Sequence, residues 1–415
     1  MKLCVAVELL LAAFTLLMVS DNWREGADGL AVAAAACALV LLLVPGACRG
    51  DARRLWLFVA GLGAFLTINL TSAVLAEELP GRGGFSWRGM HLTGILVAFA
   101  AGVGLRRRGA VERLLGWLLL LSGIWYLGET VTMPWRSAFE DGRLAGDRGY
   151  PTLLAAELVL LMALYLGSSL AWRRRLSRAA SLAGAGLTGV LLFMTKGRAA
   201  LLVLGAVAIP AVLLFQRRLG RTRTRIAAVC LWLLLLAPLG LVAWWCAASP
   251  ERRSGTTVRS RLTIYRLCFQ ATANAPWYRA VIGHGPSRRV YPATVARYAG
   301  EPPRVLGQKI RHAHNNLFQI FLETGLIGVL AVTALWLIAF RSAWVAWRSD
   351  CGDSRSSALP GVLLAALVTV AANGAADYTL WHVTGRLSWL VVGLAFASGG
   401  GAAGLVMPAA PGGTG

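Results

Sequence analysis

The stretch Arg311-His312-Ala313-His314-Asn315-Asn316 runs directly into an apolar segment, residues 317–340, LFQIFLETGLIGVLAVTALWLIAF, which carries Gly325 and Gly328. As a helix such a segment is long enough to cross a hydrocarbon core of about 30 Å. The stretch therefore decides the fold class, because a helix lets a chain cross lipid with its backbone hydrogen bonds satisfied. It also sets two imidazoles and two amides at the junction between a long, Arg-rich segment and a membrane helix.

Working outward, apolar runs of the same length recur along the 415 residues, which are 57% hydrophobic and 14% charged. The expected fold is an all-α polytopic membrane protein. Twelve spans are expected at roughly 3–20, 27–45, 55–76, 88–105, 114–133, 151–172, 179–195, 198–215, 226–247, 316–340, 358–375 and 386–402. The organisation reads as helices 1–6 over residues 1–178, helices 7–9 over 179–247, a large loop with short helices over 248–313, helices 10–12 over 314–402, and a tail over 403–415. Met1–Ser20 resembles an uncleaved signal anchor, with one Lys before a long apolar run.

The net charge is +22, and 38 of the 41 basic residues are Arg. Nucleic-acid binding is the poorer explanation, because many of these residues fall in short clusters between apolar runs, as the positive-inside rule expects. The clusters at 49–54, 106–113, 173–178, 217–225 and 341–355 alternate with the spans, which puts them and both termini in the cytoplasm. The 248–313 loop then lies outside. Its twelve basic residues against Glu251 and Glu301 leave it at +10. All five histidines, His91, His284, His312, His314 and His382, fall on the same outer side. Of the seven cysteines none shows metal-ligand spacing; Cys246 and Cys268 share the outer side and are close enough in topology to pair.

Residues 179–215 begin and end on the cytoplasmic side and must form a hairpin. Each arm is about 27 Å of helix, slightly less than a hydrocarbon core. The tip, Thr195-Lys196-Gly197-Arg198, holds two cations at lipid-phosphate depth. They either snorkel to headgroups or clamp a diphosphate. In the outer loop, Arg259, Arg266 and the spacing of Leu262, Tyr265 and Phe269 suit an amphipathic helix lying on the membrane. Ala275-Pro276-Trp277 follows, then Gly283-His284-Gly285-Pro286, a turn whose glycines allow close backbone approach.

His314-Asn315, nine intervening residues, and Gly325-Leu326-Ile327-Gly328 resemble the His-Asn-x9-Gly-x-x-Gly signature of the O-antigen ligase family, within the superfamily of bacterial polysaccharide ligases and Wzy-type polymerases. Arg261-x-x-Ile264-Tyr265, Pro276-Trp277 and Gly283-His284-Gly285 are similar to that family's loop pattern. Thr195-Lys196-Gly197-Arg198 looks like its Thr-x-Ser-Arg-Gly stretch, departing at Gly197 and Ala199. The resemblance covers about residues 190–340. It implies a GT-C-like glycosyltransferase that needs no metal, nucleotide or other cofactor. The implied activity is transfer of O-antigen polysaccharide from undecaprenyl diphosphate to lipid A–core, at the periplasmic face of the bacterial inner membrane. The implied partners are these two lipid-linked glycans and membrane lipids, with no nucleic acid.

On that reading the acceptor hydroxyl needs a base, worth about 10²–10⁴-fold, and the resemblance assigns this to His314, with His312 as the alternative. Two residues apart, the two rings cannot share a helix face, so only one is expected to point at substrate. Arg198 and Arg261 would hold the leaving diphosphate, with Lys196, Arg266 and Arg311 behind them. Because that leaving group is already stable, one displacement would invert the anomeric centre with no general acid. Asn315 either orients His314 or a sugar hydroxyl, or caps the following helix, and His284 is a further candidate contact. A metal site of His312, His314 and His284 lacks a carboxylate in the local sequence. A Wzy-type polymerase and a protein O-oligosaccharyltransferase share the chemistry. A transporter or flippase predicts internal repeats, and none is visible.

Overall fold

A computed structural model describes residues 2–18, 24–43, 52–76, 91–106, 109–132, 139–140, 143–144, 151–172, 174–197, 199–205, 255–287, 290–300, 304–305, 308–309, 312–350, 358–380 and 382–399. Nearly all of them are helical. The helices are α1 (Lys2–Met18), α2 (Arg24–Leu43), α3 (Ala52–Val74), α4 (Leu92–Gly104), α5 (Ala110–Thr132), α6 (Pro151–Ala171) and α7 (Arg175–Thr195). After them come α8 (Gly255–Asn274), α9 (Trp277–Ile282), α10 (Val290–Tyr298), α11 (Asn316–Asp350), α12 (Leu359–Ala376) and α13 (His382–Ser398). Two hairpins of two-residue strands, Phe139–Glu140 with Arg143–Leu144 and Arg304–Val305 with Gln308–Lys309, complete the regular structure described.

Seven of these helices are long and apolar enough to cross a membrane: α2, α3, α5, α6, α7, α11 and α12. The chain is an all-α polytopic membrane protein. Helices α1 and α4 are apolar but shorter. Helices also stand where the first seven spans and the last three are expected. The eighth starts as helix over 199–205; its remainder and the ninth lie outside the described residues, as does Cys246. Cys268 is free among the described residues, and the expected pairing with Cys246 is a matter of residues beyond them. Cys268 sits in the core of the loop helices, and burial pushes its pKa up to about 12.

The bundle is layered by burial. Helices α6 and α12 are buried on nearly every face, which is where a helix apolar all round belongs. Small residues let neighbours close in. Gly94 lies under the Trp389 indole, and Gly102 lies against Phe58, whose ring stacks on Phe396 at 4.0 Å between centroids. Without a hydrophobic drive between helices in lipid, such close packing is what holds a bundle together.

The loop helices form a second, smaller core of Ile264, Leu267, Cys268, Ala271, Val290, Tyr291, Val295, Ala313 and Leu322. Ile264, Leu267, Cys268 and Ala271 turn inward, whereas Leu262 and Phe269 are exposed.

Helix α11 differs most from expectation. It runs to Asp350 rather than 340, and it is broken at Gly325, which has φ 68° and ψ −168°. The carbonyls of Leu322 and Glu323, beside the break, accept from the N–H groups of His284 (2.8 Å) and Gly285 (2.9 Å). Ser72 Oγ also donates to the Glu323 carbonyl. Carbonyls near an interrupted helix need such partners when buried. A side chain cannot replace hydrogen at either glycine in this crossing. A Cβ on Gly283 would lie 2.4 Å from the Glu323 carbonyl, and one on Gly325 would lie 2.2 Å from the Val281 carbonyl oxygen. The Gly-His-Gly turn therefore brings its backbone close to α11.

Candidate active site

The break leaves residues 316–324 as a short helix with its N-terminus beside the loop helices. Asn315 caps it, its Oδ1 accepting from the N–H groups of Leu317 (2.8 Å) and Phe318 (3.2 Å). Its Nδ2 donates to the carbonyl of Ala375 at the end of α12. Asn316 continues the junction. Its Oδ1 accepts from Thr379 N–H (2.8 Å) and Leu380 N–H (3.3 Å), and its Nδ2 donates to Thr379 Oγ1. Gly374 leaves the space that Asn316 fills, since a Cβ there would lie 2.2 Å from Asn316 Nδ2. Two adjacent asparagines therefore fasten the turn that follows α12.

That turn carries Asp377, and its Oδ1 lies 2.9 Å from His314 Nδ1. Burial opposes ionisation of Asp377. The hydrogen bond to His314, the charges of His314 and His312, and the Tyr378 N–H outweigh it and hold the carboxyl below its ordinary value. An ionised carboxylate only accepts hydrogen bonds, so His314 Nδ1 is the donor and Nε2 is the ring nitrogen left for proton exchange. His314 has φ 50°, in the left-handed region, where a non-glycine residue is uncommon and is held by its surroundings. The Tyr265 hydroxyl donates to the His314 carbonyl at 3.4 Å.

His312 corrects an expectation. Its ring centroid is 4.3 Å from that of His314, so the two imidazoles share one side. Neither lies on a helix; in non-helical chain, residues i and i+2 can point the same way. The residue between them, Ala313, is fully buried in the loop core. One donor atom each from His312, His314 and Asp377 falls within 4.8 Å of the others. Asp377 thus supplies the carboxylate that the local sequence lacks, and the three would suit a divalent ion if drawn closer.

The cations are less concentrated. Arg261 is half-buried on α8, near enough that its charge acts on the Tyr265 phenol. Burial nonetheless raises the Tyr265 pKa, against the pull of Arg261 and Asn315. Arg266 is exposed on the same helix. Lys196 is exposed as the left-handed C-cap of α7, φ 50°, at the start of the expected turn. Arg198 and Arg311 lie outside the described residues. His284 is enclosed, with its ring 5.5 Å from that of Tyr298.

Two features escaped sequence reasoning. Asp377 follows a span whose outer end the topology already places beside His314, and that position was its available signal. The second is a buried pair, His91 Nε2 to Glu323 Oε2 at 3.0 Å. An apolar groove between α11 and α12, about 380 Å³, also begins at this junction. Asn316, Leu317, Ala375 and Leu380 line it beside the site, and Trp336 and Phe340 line it farther along α11.

A membrane bundle with a histidine–aspartate pair at the mouth of a small helical loop domain is the class that fold and site define. Residues 183–333 match the family model described as O-antigen ligase, a family whose members are glycosyltransferase-like ligases and polymerases. The match takes in α8, His314 and the break in α11, and ends before Asp377. A comparison with curated proteins finds no match.

Proposed function

We propose that the chain is an O-antigen ligase, transferring O-antigen polysaccharide from undecaprenyl diphosphate to lipid A–core at the periplasmic face of the inner membrane. The observation that carries this reading is the His314–Asp377 pair, set at 2.9 Å by the segment that bears the family signature. In the proposed step Nε2 of His314 takes the proton of the acceptor hydroxyl as its oxygen forms the new bond to the anomeric carbon. The bond from that carbon to the diphosphate oxygen breaks, the electron pair leaves with the diphosphate, and the anomeric centre inverts. Asp377 holds the ring and offsets the imidazolium that forms.

Arg261 with Arg198, and behind them Lys196, Arg266 and Arg311, receive the leaving diphosphate. No metal or other cofactor takes part. The groove between α11 and α12 supports a place for the donor's hydrocarbon chain, because it starts beside the base. In the donor only the diphosphate separates lipid from reacting carbon. In the acceptor the whole core oligosaccharide intervenes. A GT-C-like arrangement of about twelve spans, with residues 248–313 as the periplasmic loop and both termini cytoplasmic, completes the reading.

Deleting the gene tests it. The expected phenotype is lipid A–core without O-antigen while long polymer accumulates on undecaprenyl diphosphate. Single repeats still joined to the core would assign a polymerase instead, and unchanged surface glycan would overturn both.

A further inference from the structure

Glu323 stands two residues before the break in α11, and its carboxylate is completely enclosed. Enclosing a carboxylate is unfavourable by several kcal/mol unless it is paired and hydrogen-bonded. Its two oxygens are used differently. Oε2 faces His91 Nε2 at 3.0 Å. Oε1 accepts from two donors, Gln319 Nε2 at 2.8 Å and the Tyr378 hydroxyl at 3.4 Å. Each donor leads to one member of the His314–Asp377 pair. Gln319 accepts, through its own Oε1, the N–H of Ala313, the residue before His314 (3.1 Å). The Tyr378 N–H donates to Asp377 Oδ1 (2.8 Å).

We propose that Glu323, backed by His91, is a positioning residue: one carboxylate oxygen sets the register between His314 and Asp377 without touching the reacting atoms. The proposal rests on reading that pair as the reacting one. The break alone does not account for Glu323. The carbonyls beside the break are met by the His284 and Gly285 N–H groups and by Ser72. An apolar side chain of similar size would fill the same volume without burying a charge. What the carboxylate adds is a shared acceptor for the two arms. His91, at φ 54°, is held with its ring toward it at the start of α4.

The test uses the full chain in lipid nanodiscs with ¹⁵N-labelled histidine, of which there are five. The His314 Nδ1–H signal is assigned by its loss in His314→Gln. Glu323→Gln keeps the size but replaces one acceptor oxygen by a donor. It is expected to shift or broaden the His314 signal, leave the His284 and His382 signals in place, and lower kcat by about 10–100-fold with donor KM within about twofold, as misplacement of a reacting group does. Tyr378→Phe removes one arm and is expected to give the same signature, smaller. Should Glu323→Gln fail to fold, Tyr378→Phe carries the test.

An unmoved His314 signal in the folded variant overturns the proposal. So does a loss of all five signals in step with a lowered unfolding midpoint, which marks a merely structural role. The spectrum does not depend on turnover. A shifted His314 signal in a chain that transfers no glycan leaves the positioning role standing and removes the ligase reading. Full transfer with an unshifted signal does the reverse.

Discussion

Among the described residues, two histidine–carboxylate pairs of nearly equal length differ in their access to solvent. His314 and Asp377 meet at 2.9 Å with side chains 29% and 13% exposed; His91 and Glu323 meet at 3.0 Å with side chains 4% and 0% exposed. Both histidines adopt left-handed backbone, at φ 50° and 54°. The open pair leaves one imidazole nitrogen free to exchange a proton. The closed pair has no such opening, and its carboxylate is occupied by Gln319 and Tyr378. The same chemical couple therefore serves reaction in one place and geometry in the other, and burial decides which.

The largest expected effect breaks the open pair at its base. His314→Ala should abolish transfer while leaving donor binding near wild type, with a lowered unfolding midpoint because Asp377 loses its partner. Wild-type rates in a glycan-transfer assay would remove His314 as base. Asp377→Asn comes next. It keeps the shape but loses the charge that selects Nδ1–H and offsets the imidazolium, so kcat should fall by about 10²–10⁴-fold.

The same substitution gives a stability test with a defined sign. The Asp377 pKa is lowered on folding, so the unfolded chain binds more protons as pH falls below the ordinary carboxylate value, about 3.9. Its contribution is full above that value and is lost as pH falls through the lower, folded one. The unfolding midpoint of wild type should therefore exceed that of Asp377→Asn near neutrality, and the gap should close only in strong acid. A gap that widened on acidification would contradict the assignment.

Much of this contrast was legible in the sequence, and the illegible part has a physical cause. The apolar runs marked the helices, and the His-Asn-x9-Gly-x-x-Gly spacing marked His314 and Gly325. Periodicity could not show the break, because apolar residues resume on both sides of Glu323-Thr324-Gly325. Nor could it show that Ala313 is buried, which is what turns His312 and His314 to the same side. Asp377 and Glu323 are carboxylates whose partners lie 63 and 232 residues away in the chain. Local spacing carries no such information. His91, His284, His312 and His314 all gather around the first segment of α11, which no local pattern links.

Breaking the crossing that separates the two pairs should act on stability before chemistry. Gly325→Ala places a methyl 2.2 Å from the Val281 carbonyl oxygen at a φ of 68°. Left-handed strain and overpacking together should lower stability by about 3 kcal/mol or more. Thermal unfolding in detergent measures it. Gly63→Ala provides the comparison, because nothing lies within 4 Å of a Cβ added there on α3. Its loss should be clearly smaller, and equal losses would mean that the close backbone approach is not what Gly325 provides.

The smallest effect concerns the cap between the open pair and its helix. Asn315→Ala removes an acceptor used by two N–H groups and the donor to the Ala375 carbonyl. Loss of a helix cap is worth about 1 kcal/mol, so the unfolding midpoint should fall slightly. Asn315→Ser restores a capping oxygen but cannot reach across to α12 as the amide does. If Asn315 only caps, Ser should recover both stability and transfer. If the bond to Ala375 also holds the turn of Asp377 against His314, Ser should recover stability while kcat stays low. The difference between those two outcomes measures how far the reacting pair depends on the junction beneath it.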